Sequence, residues 1–310
     1  MDRGGHRASR GRLPLSSPLI GVALVGGATL CWSTTGLTTR LVAADAWTII
    51  LWRGLSGGLA ILAVGTALRG RRAALASLRA MGWAGAGVTF CSTAGTILYI
   101  TALKLSSVAH VAVIYATVPF LAATLGWLAT REAPGASTVL ASLAAAGGVL
   151  LMVGGTAGEG DALGDALALL MTLTYAAMMV ILRRNADVPL VPAAGLAALG
   201  CAAAAFPFAG PADPATVAAL LLCGLVQNGL ADTLFTRGAQ AVPPSRTALI
   251  GTLEGPLAPL WVWLALGEAP AAATLAGGSV VLAAVVGNVA LGERRRRAAV
   301  AVPAVEGDPI

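Results

Sequence analysis

The sequence predicts an all-α polytopic membrane protein with ten transmembrane helices, arranged as two inverted five-helix repeats with both termini in the cytoplasm. Three observations predict this fold: the composition, a series of apolar segments and an internal repeat. Hydrophobic residues make up 57% of the 310 residues and charged residues only 11%, with a mean hydropathy of +0.83. Soluble domains are about half apolar and about a quarter charged, so most of this chain is expected to lie in a bilayer.

Ten apolar segments each approach the length of about 20 residues that an α-helix needs to cross a bilayer. Charged side chains fall mainly between these segments, so no stretch is left for a soluble domain. A basic tail, 1–17, and a second polar tail, 292–310, are expected on the cytoplasmic side. The predicted spans are residues 18–38, 46–67, 80–102, 107–129, 136–155, 163–182, 188–209, 215–236, 246–266 and 270–291.

The distribution of basic residues predicts the orientation. Of the 20 Lys and Arg, only Arg40 and Lys104 fall in the loops predicted outside, and Arg53 lies within a span. Basic loops are retained on the cytoplasmic side, which places both termini there and favours a bacterial inner membrane. The net charge of +6 is then explained by contact with anionic lipid, and no nucleic-acid partner is predicted. Neither the distribution of basic residues nor the net charge distinguishes a monomer from a homodimer.

The internal repeat is clearest in two strings, WLATREAP at 127–134 and WLALGEAP at 263–270. The same offset of 136 residues extends to other polar positions, and near the start of each half the offset becomes 143. The repeats are placed at 18–155 and 163–291. Since each contains an odd number of helices, the second enters the membrane from the opposite side. The offsets pair Ser92 with Asn228, Thr96 with Asp232, and Trp32 with Tyr175.

Three ionisable residues lie deep inside the predicted spans: Arg53, Asp232 and Glu254. A charge at the bilayer centre costs at least about 2.5 to 3.5 kcal/mol, so each should face a cavity or a partner. For Arg53 the favoured interpretation is structural, as an ion-pair partner or a side chain that snorkels outward. The alternative is that Arg53 holds a substrate carboxylate. For Glu254, a proton-carrying role and a structural role stay equally open.

Two polar helix faces predict a central cavity. In helix eight, Asn228 and Asp232 recur one turn apart with Gln227 beside them, and helix three carries Ser92 and Thr96 at the equivalent positions. Packing by interhelical hydrogen bonds is the alternative. Helices one, three, four, six, eight and nine are expected to line the cavity, with helices five and ten behind it. Aromatic candidates for substrate contact, for which core packing is the alternative, are Trp32, Tyr99, Tyr115 and Tyr175.

Short motifs recur in order along both halves. The first half contains Cys31-Trp32-Ser33, Arg53, Pro119 and Glu132-Ala-Pro134. The second contains Gly164-Asp165, Tyr175-Ala176, Leu253-Glu254 and Gly267-Glu268-Ala-Pro270. In these motifs residues 18–291 resemble the EamA-type branch of the drug/metabolite transporter superfamily. One departure is Gly255, which stands before Pro256 where that branch often has Leu-Glu-Pro, so the bend in helix nine is expected to shift by one residue.

The resemblance implies a transporter of small metabolites, with amino acids, including aromatic ones, as a common substrate class and export as the usual direction. A proton-coupled exporter of drugs, nucleotide precursors or sugars is the first alternative, and it would depend on Glu254 or Asp232. A membrane enzyme or a receptor is the second. No phosphate-binding loop, catalytic triad or metal-ligand spacing occurs, so neither catalysis nor a cofactor is predicted. Pro119, Pro256 and Pro259 are expected to let helices four and nine bend during gating.

Overall fold

The computed structural model describes residues 18–131, 136–155, 162–185, 187–239, 241, 247, 250–251 and 253–300. Every regular element within these ranges is helical. The elements are α1 (Pro18–Ser33), α2 (Thr35–Leu41), α3 (Ala46–Arg69), α4 (Arg71–Arg79), α5 (Gly82–Leu105), α6 (Val108–Tyr115), α7 (Val118–Thr130), α8 (Ala136–Gly155), α9 (Ala162–Arg184), α10 (Leu190–Ala205), α11 (Pro214–Gly224), a π-helix (Leu225–Leu230), α12 (Ala231–Gly238), α13 (Glu254–Leu266) and α14 (Ala272–Val300).

Seven helices in the described part of the chain are long and apolar enough to cross a membrane. Two shorter apolar helices, Val139–Leu151 and Leu190–Ala205, accompany them. The all-helical membrane fold is therefore confirmed, whereas the count of ten spans and the orientation stay predictions. Both tails up to residue 17 and from 301 lie outside the described residues, and so does the Glu132-Ala-Pro134 string. The seven helices of membrane-spanning length are Leu19–Leu41, Ala46–Arg69, Gly82–Leu105, Val108–Leu128, Ala162–Arg184, Pro214–Gly238 and Ala272–Gly292.

A short helix, α4, lies where the sequence predicted only a loop between the second and third spans. Gly70 precedes it with φ 82°, a left-handed conformation that suits glycine and turns the chain sharply out of α3. None of the α4 side chains is buried, and basic residues occur at both of its ends. A helix with basic and apolar faces and no buried residue is typical of one that lies along a membrane surface.

The helix pairings follow a pseudo-two-fold arrangement of the two halves. The most extensive contacts pair α3 with α10, α8 with α14, α5 with α9, and α1 with α12. In the numbering of the ten predicted spans, the second span packs on the seventh, the fifth on the tenth, the third on the sixth, and the first on the eighth. Exchanging the halves maps the first two pairings onto themselves and the last two onto each other, as expected for duplicated units.

Glycines explain the tight contact between α3 and α10. A Cβ added to Gly54 would lie 2.5 Å from the carbonyl oxygen of Ala198, and one added to Gly58 would lie 2.8 Å from Cγ of Leu199. The spacing of these two glycines is the small-xxx-small pattern that lets membrane helices approach closely. As a result, helix two lies against helix seven along its buried face.

Four of the helical stretches are interrupted near the middle of the bundle. The first breaks at Thr34, between α1 and α2, and the fourth at Ala116 and Thr117, between α6 and α7. The eighth contains the π-helix, and in the ninth α13 begins only at Glu254. Pro119, in the first turn of α7, has no backbone N–H, and therefore a helix starts there more easily than it continues through.

Candidate functional site

A cavity of about 330 Å³ lies among the helices at the centre of the bundle. Its lining brings together ten of the residues predicted from the sequence, drawn from both halves of the chain. Among the described residues, none from α8 or α14, the fifth and tenth predicted spans, lines the cavity. The predicted residues that line it are Trp32, Arg53, Ser92, Thr96, Tyr99, Tyr115, Tyr175, Asn228, Asp232 and Glu254.

Gln227 was predicted to face the cavity, but it lies outside the lining. Its side chain is buried, and Nε2 donates hydrogen bonds to Oγ1 of Thr34 at 2.9 Å and of Thr38 at 3.0 Å. Residues 225–230 form a π-helix, in which Gln227 lies away from the lining, whereas Asn228 and Asp232, predicted one turn apart on one face, both line the cavity. Gln227 thus joins helix eight to the break in helix one, while Asn228 faces the cavity.

Arg53 projects from α3 and lines the cavity with only 7% of its surface exposed. Its Nε and Nη1 atoms have no hydrogen-bond partner, and it forms no ion pair with an acid in the part of the chain that the structure describes. Arg53 therefore lies at the cavity without an ion-pair partner among the described residues. Whether its role is structural or functional stays a prediction.

Aromatic side chains form one wall of the cavity. The ring of Tyr115 lies 6.4 Å from that of Tyr99 and 5.7 Å from that of Tyr175, measured between centroids. The hydroxyl of Tyr175 lies 3.3 Å from Oγ1 of Thr96, within hydrogen-bonding distance. Trp32 packs on Phe235 at 5.2 Å. Such rings offer apolar faces for a substrate, and the polar edge of Tyr175 is within hydrogen-bonding distance of Thr96.

Two helices were missing from the sequence prediction of the lining. Helix two contributes Ile50, Gly54 and Ile61 besides Arg53, and α10 contributes Ala198 and Cys201 together with Ala194. These residues are small or apolar and carry no polar pattern that could have indicated them. The spacing of Gly54 and Gly58 is typical of a close helix contact and does not by itself indicate a position beside a cavity.

At each of these helix breaks, a residue that lines the cavity lies at the break or next to it. Thr35 follows the break at Thr34, and Tyr115 precedes the break between α6 and α7. Asn228 lies within the π-helix, and Glu254 is the first residue of α13. Interrupted helices at membrane depth are tolerated where the backbone faces protein or a cavity, and they frequently form binding sites in carriers.

One end of the bundle, which we call the Asp45 end, is closed by polar contacts between helix ends. Nη2 of Arg40 donates to the carbonyl oxygen of Ser106 at 2.7 Å. The hydroxyl of Ser106 donates to Asp165 at 2.5 Å, and Nδ1 of His110 lies 3.2 Å from the same carboxylate. These contacts tie helices one, three, four and six together above the cavity.

A second contact at this end joins the start of α3, through Asp45 and Thr48, to Gly210. The carboxylate of Asp45 caps α3 by accepting from the Thr48 amide at 3.0 Å, and the Thr48 hydroxyl accepts from the Gly210 amide at 2.9 Å. Burial acts to raise the pKa of Asp45, but hydrogen bonds from Thr48 and neighbouring backbone amides outweigh it and leave the pKa below its usual range. The cap therefore favours the charged carboxylate.

The three predicted gating prolines lie apart from the main cavity. Pro119 is exposed in the first turn of α7, and Pro256 is exposed in the first turn of α13. Pro259 lies within α13 and lines a smaller cavity of about 130 Å³, together with His110 and Glu268. All three adjoin breaks in the helices that line the main cavity, and none contacts its interior.

The described residues contain no group of three or more His, Cys, Asp or Glu side chains arranged to hold a metal ion. A helical membrane bundle whose interrupted helices enclose a partly polar, partly aromatic cavity has the architecture of a carrier. The chain belongs to the EamA-like transporter family, whose model matches residues 19–154 and again residues 162–290. Membership makes it a multi-pass membrane transporter of small molecules.

Comparison with solved structures agrees on the fold. A crystal structure of another protein, 23% identical in sequence, superposes with a TM-score of 0.62 and covers 91% of this chain and 99% of that protein. At this level of identity the likeness shows the fold alone. No curated protein matches the chain significantly.

Proposed function

We propose that this protein exports amino acids, including aromatic ones, from the bacterial cytoplasm through the inner membrane. In this proposal ten helices cross the membrane, with both termini inside. The substrate binds in the central cavity, which is reached alternately from the two sides. No cofactor takes part, because a carrier moves its substrate without breaking bonds.

The observation that carries the proposal is the mixed lining of the cavity. Tyr99, Tyr115 and Tyr175 supply aromatic surface, while the guanidinium of Arg53 and the carboxyl group of Glu254 line the same space. An amino acid presents this combination of an apolar side chain, a carboxylate and an ammonium group. Its volume also suits a cavity of about 330 Å³.

The closed Asp45 end supports alternating access. The cavity reaches towards the opposite end along Ile61, Ser92 and Met178, whereas Ser106, His110 and Asp165 are joined by hydrogen bonds at the Asp45 end. If basic residues face the cytoplasm, this arrangement is open inward and closed outward. An exporter loads its substrate in such a state.

A second candidate function is proton-coupled export of drugs, nucleotide precursors or sugars. The observation that favours it is the presence of two acidic side chains, Asp232 and Glu254, in the lining. It differs from the first proposal in one consequence. A proton-coupled carrier should accelerate strongly with an imposed pH gradient, and it should lose that acceleration in Asp232→Asn or Glu254→Gln.

Counterflow in proteoliposomes tests both candidates. Vesicles containing purified protein are loaded with one unlabelled compound, and entry of the same labelled compound is followed for amino acids, nucleosides, sugars and a cationic dye, with and without a pH gradient. The proposal expects entry of amino acids, and reduced entry in Tyr175→Ala. Trp83→Ala is the matched aromatic control, because Trp83 is 77% exposed on the bundle surface. Absence of amino-acid counterflow would overturn the proposal.

A further inference from the structure

Among the described residues that line the cavity, Arg53 is the only one with a strongly charged donor group. It lies on α3, and the backbone of this helix is fixed against α10 through Gly54 and Gly58. The position of the group is therefore set by a closely packed interface rather than by a mobile loop.

The groups around Arg53 do not compensate its charge. The thiols of Cys201 and Cys223 and the hydroxyls of Tyr99 and Tyr175 are among its nearest polar groups, and none of these four is a carboxylate. Asp232 and Glu254 line the same cavity but form no ion pair with Arg53. Its Nε and Nη1 donors are both buried and without a hydrogen-bond partner.

A buried guanidinium with free donors is best satisfied by an anion that can bind two nitrogens at once. Guanidinium and carboxylate match in shape, because two parallel N–H···O bonds can form between two planar groups. Phosphate also accepts such bonds, but a phosphate dianion would enter a cavity that already contains the carboxyl groups of Asp232 and Glu254. A carboxylate carried by a zwitterion adds no net charge.

We propose that Arg53 binds the carboxylate of the transported substrate and thereby selects amino acids over the corresponding amines. The inference rests on the proposed function, since it assigns a role within the same cavity. In this arrangement the ammonium group of the substrate lies towards Glu254 and Asp232, and its side chain lies against the tyrosines.

The test compares three probes of similar shape on purified protein in detergent. L-Phenylalanine carries both charges, phenethylamine lacks the carboxylate, and 3-phenylpropionate lacks the ammonium group. Affinity is measured by the quenching of intrinsic fluorescence and by the shift in melting temperature. Wild type is expected to bind L-phenylalanine about 10- to 100-fold more tightly than phenethylamine, as a charge-assisted hydrogen-bond pair warrants.

Arg53→Gln should abolish that preference, and Arg53→Lys should restore it in part, because a lysine keeps the charge but not the planar fork. Arg69→Gln, an exposed arginine on the same helix, is the matched control and should behave as wild type. The wild-type comparison among probes needs no variant, so a poorly folded Arg53→Gln leaves the inference testable.

The outcomes separate the inference from the proposed function. Equal affinity of wild type for L-phenylalanine and phenethylamine, or an unchanged preference in folded Arg53→Gln, would overturn the inference even where amino acids are transported. Binding of 3-phenylpropionate that requires Arg53, in a protein with no amino-acid counterflow, would support the carboxylate site and overturn the proposed function. Failure of all three probes to bind wild type would overturn the inference.

Discussion

His110 and Asp165 join the two repeats of this protein through a hydrogen-bonded contact of 3.2 Å between Nδ1 and a carboxylate oxygen. His110 lies on α6 in the first half, and Asp165 lies in the first turn of α9 in the second. Both side chains are largely shielded, at 4% and 14% exposure. A shielded pair with an additional bond from Ser106 holds the Asp45 end closed more firmly than exposed ion pairs do.

Removing this contact should open the Asp45 end. In Asp165→Ala, the contact with His110 and the hydrogen bond from Ser106 are both lost, so the population open at this end should rise. Hydrogen–deuterium exchange in residues 105–110 and 162–168 should become several-fold faster. Asp213→Ala removes the cap of α11 at the same end, and its effect should stay within the first turn of that helix. Unchanged exchange in Asp165→Ala would contradict the assigned closure.

Gln227 should contribute to stability rather than to substrate binding. Gln227→Met keeps the volume but loses both hydrogen bonds to Thr34 and Thr38, which should lower the free energy of unfolding by about 1 to 3 kcal/mol. Its affinity for substrate should remain near that of wild type, whereas Asn228→Ala should bind more weakly. Unfolding in mixed detergent and a binding titration measure the two effects. Weaker binding in Gln227→Met with unchanged stability would reverse the assignment.

Gly54 should be intolerant of any side chain. The added Cβ of Gly54→Ala would meet the Ala198 carbonyl at 2.5 Å, so α3 and α10 must separate, at a cost of about 1 to 3 kcal/mol. Gly26→Ala is the control, since a Cβ there meets nothing within 4 Å and alanine favours helix. Thermal unfolding should therefore shift down for the first variant and stay level or shift up for the second. Equal shifts would contradict the close packing.

The prolines of helix nine should affect rate rather than folding. Pro259 lies inside α13, where its missing backbone N–H removes a helical hydrogen bond, so Pro256→Ala combined with Pro259→Ala should restore that bond and slow the exchange between open states. We expect several-fold slower counterflow with expression unchanged. Pro214→Ala, at the start of α11, replaces a proline that already suits a helix start and should leave transport unaffected. Transport at the wild-type rate in the double variant would exclude a gating role.

Stability should fall in acid through Asp45. The pKa of this carboxyl group is lowered in the folded protein, so below the ordinary value of about 3.9 the unfolded chain binds the proton more readily. The contribution of Asp45 to the free energy of unfolding is therefore complete above that pH. It is lost as the pH falls through the lower pKa of the folded protein. Melting temperature measured between about pH 5 and pH 3 should decline less steeply in Asp45→Asn than in wild type. An identical decline would contradict the assignment.

The sequence predicted those features that depend on polarity within an apolar background. Asp232, Thr96 and Ser92 were identifiable because a polar side chain in a span needs a cavity or a partner. Arg53 was identifiable for the same reason, but its lack of an ion-pair partner depends on where the acids of other helices lie. Sequence spacing does not report such distances.

Other features were hidden because they depend on local helix geometry. The π-helix at Leu225–Leu230 separates Gln227 from Asn228, which the sequence placed at the same polar face, and no residue within it marks a π-turn. Ala198 and Cys201 line the cavity only because Gly54 brings α10 close. Small apolar residues look alike in sequence whether they face lipid, a neighbouring helix or a substrate.

The central claim is that amino acids cross the membrane through this cavity, and a cavity-filling variant tests it most directly. Counterflow of labelled L-phenylalanine is compared for wild type, Thr96→Trp and Phe90→Trp in proteoliposomes. Both substitutions lie on α5, but Thr96 lines the cavity, whereas Phe90 is 72% exposed on the bundle surface. We predict counterflow in wild type and in Phe90→Trp and its loss in Thr96→Trp. Counterflow that persists in Thr96→Trp, or that is absent from wild type, would contradict the account.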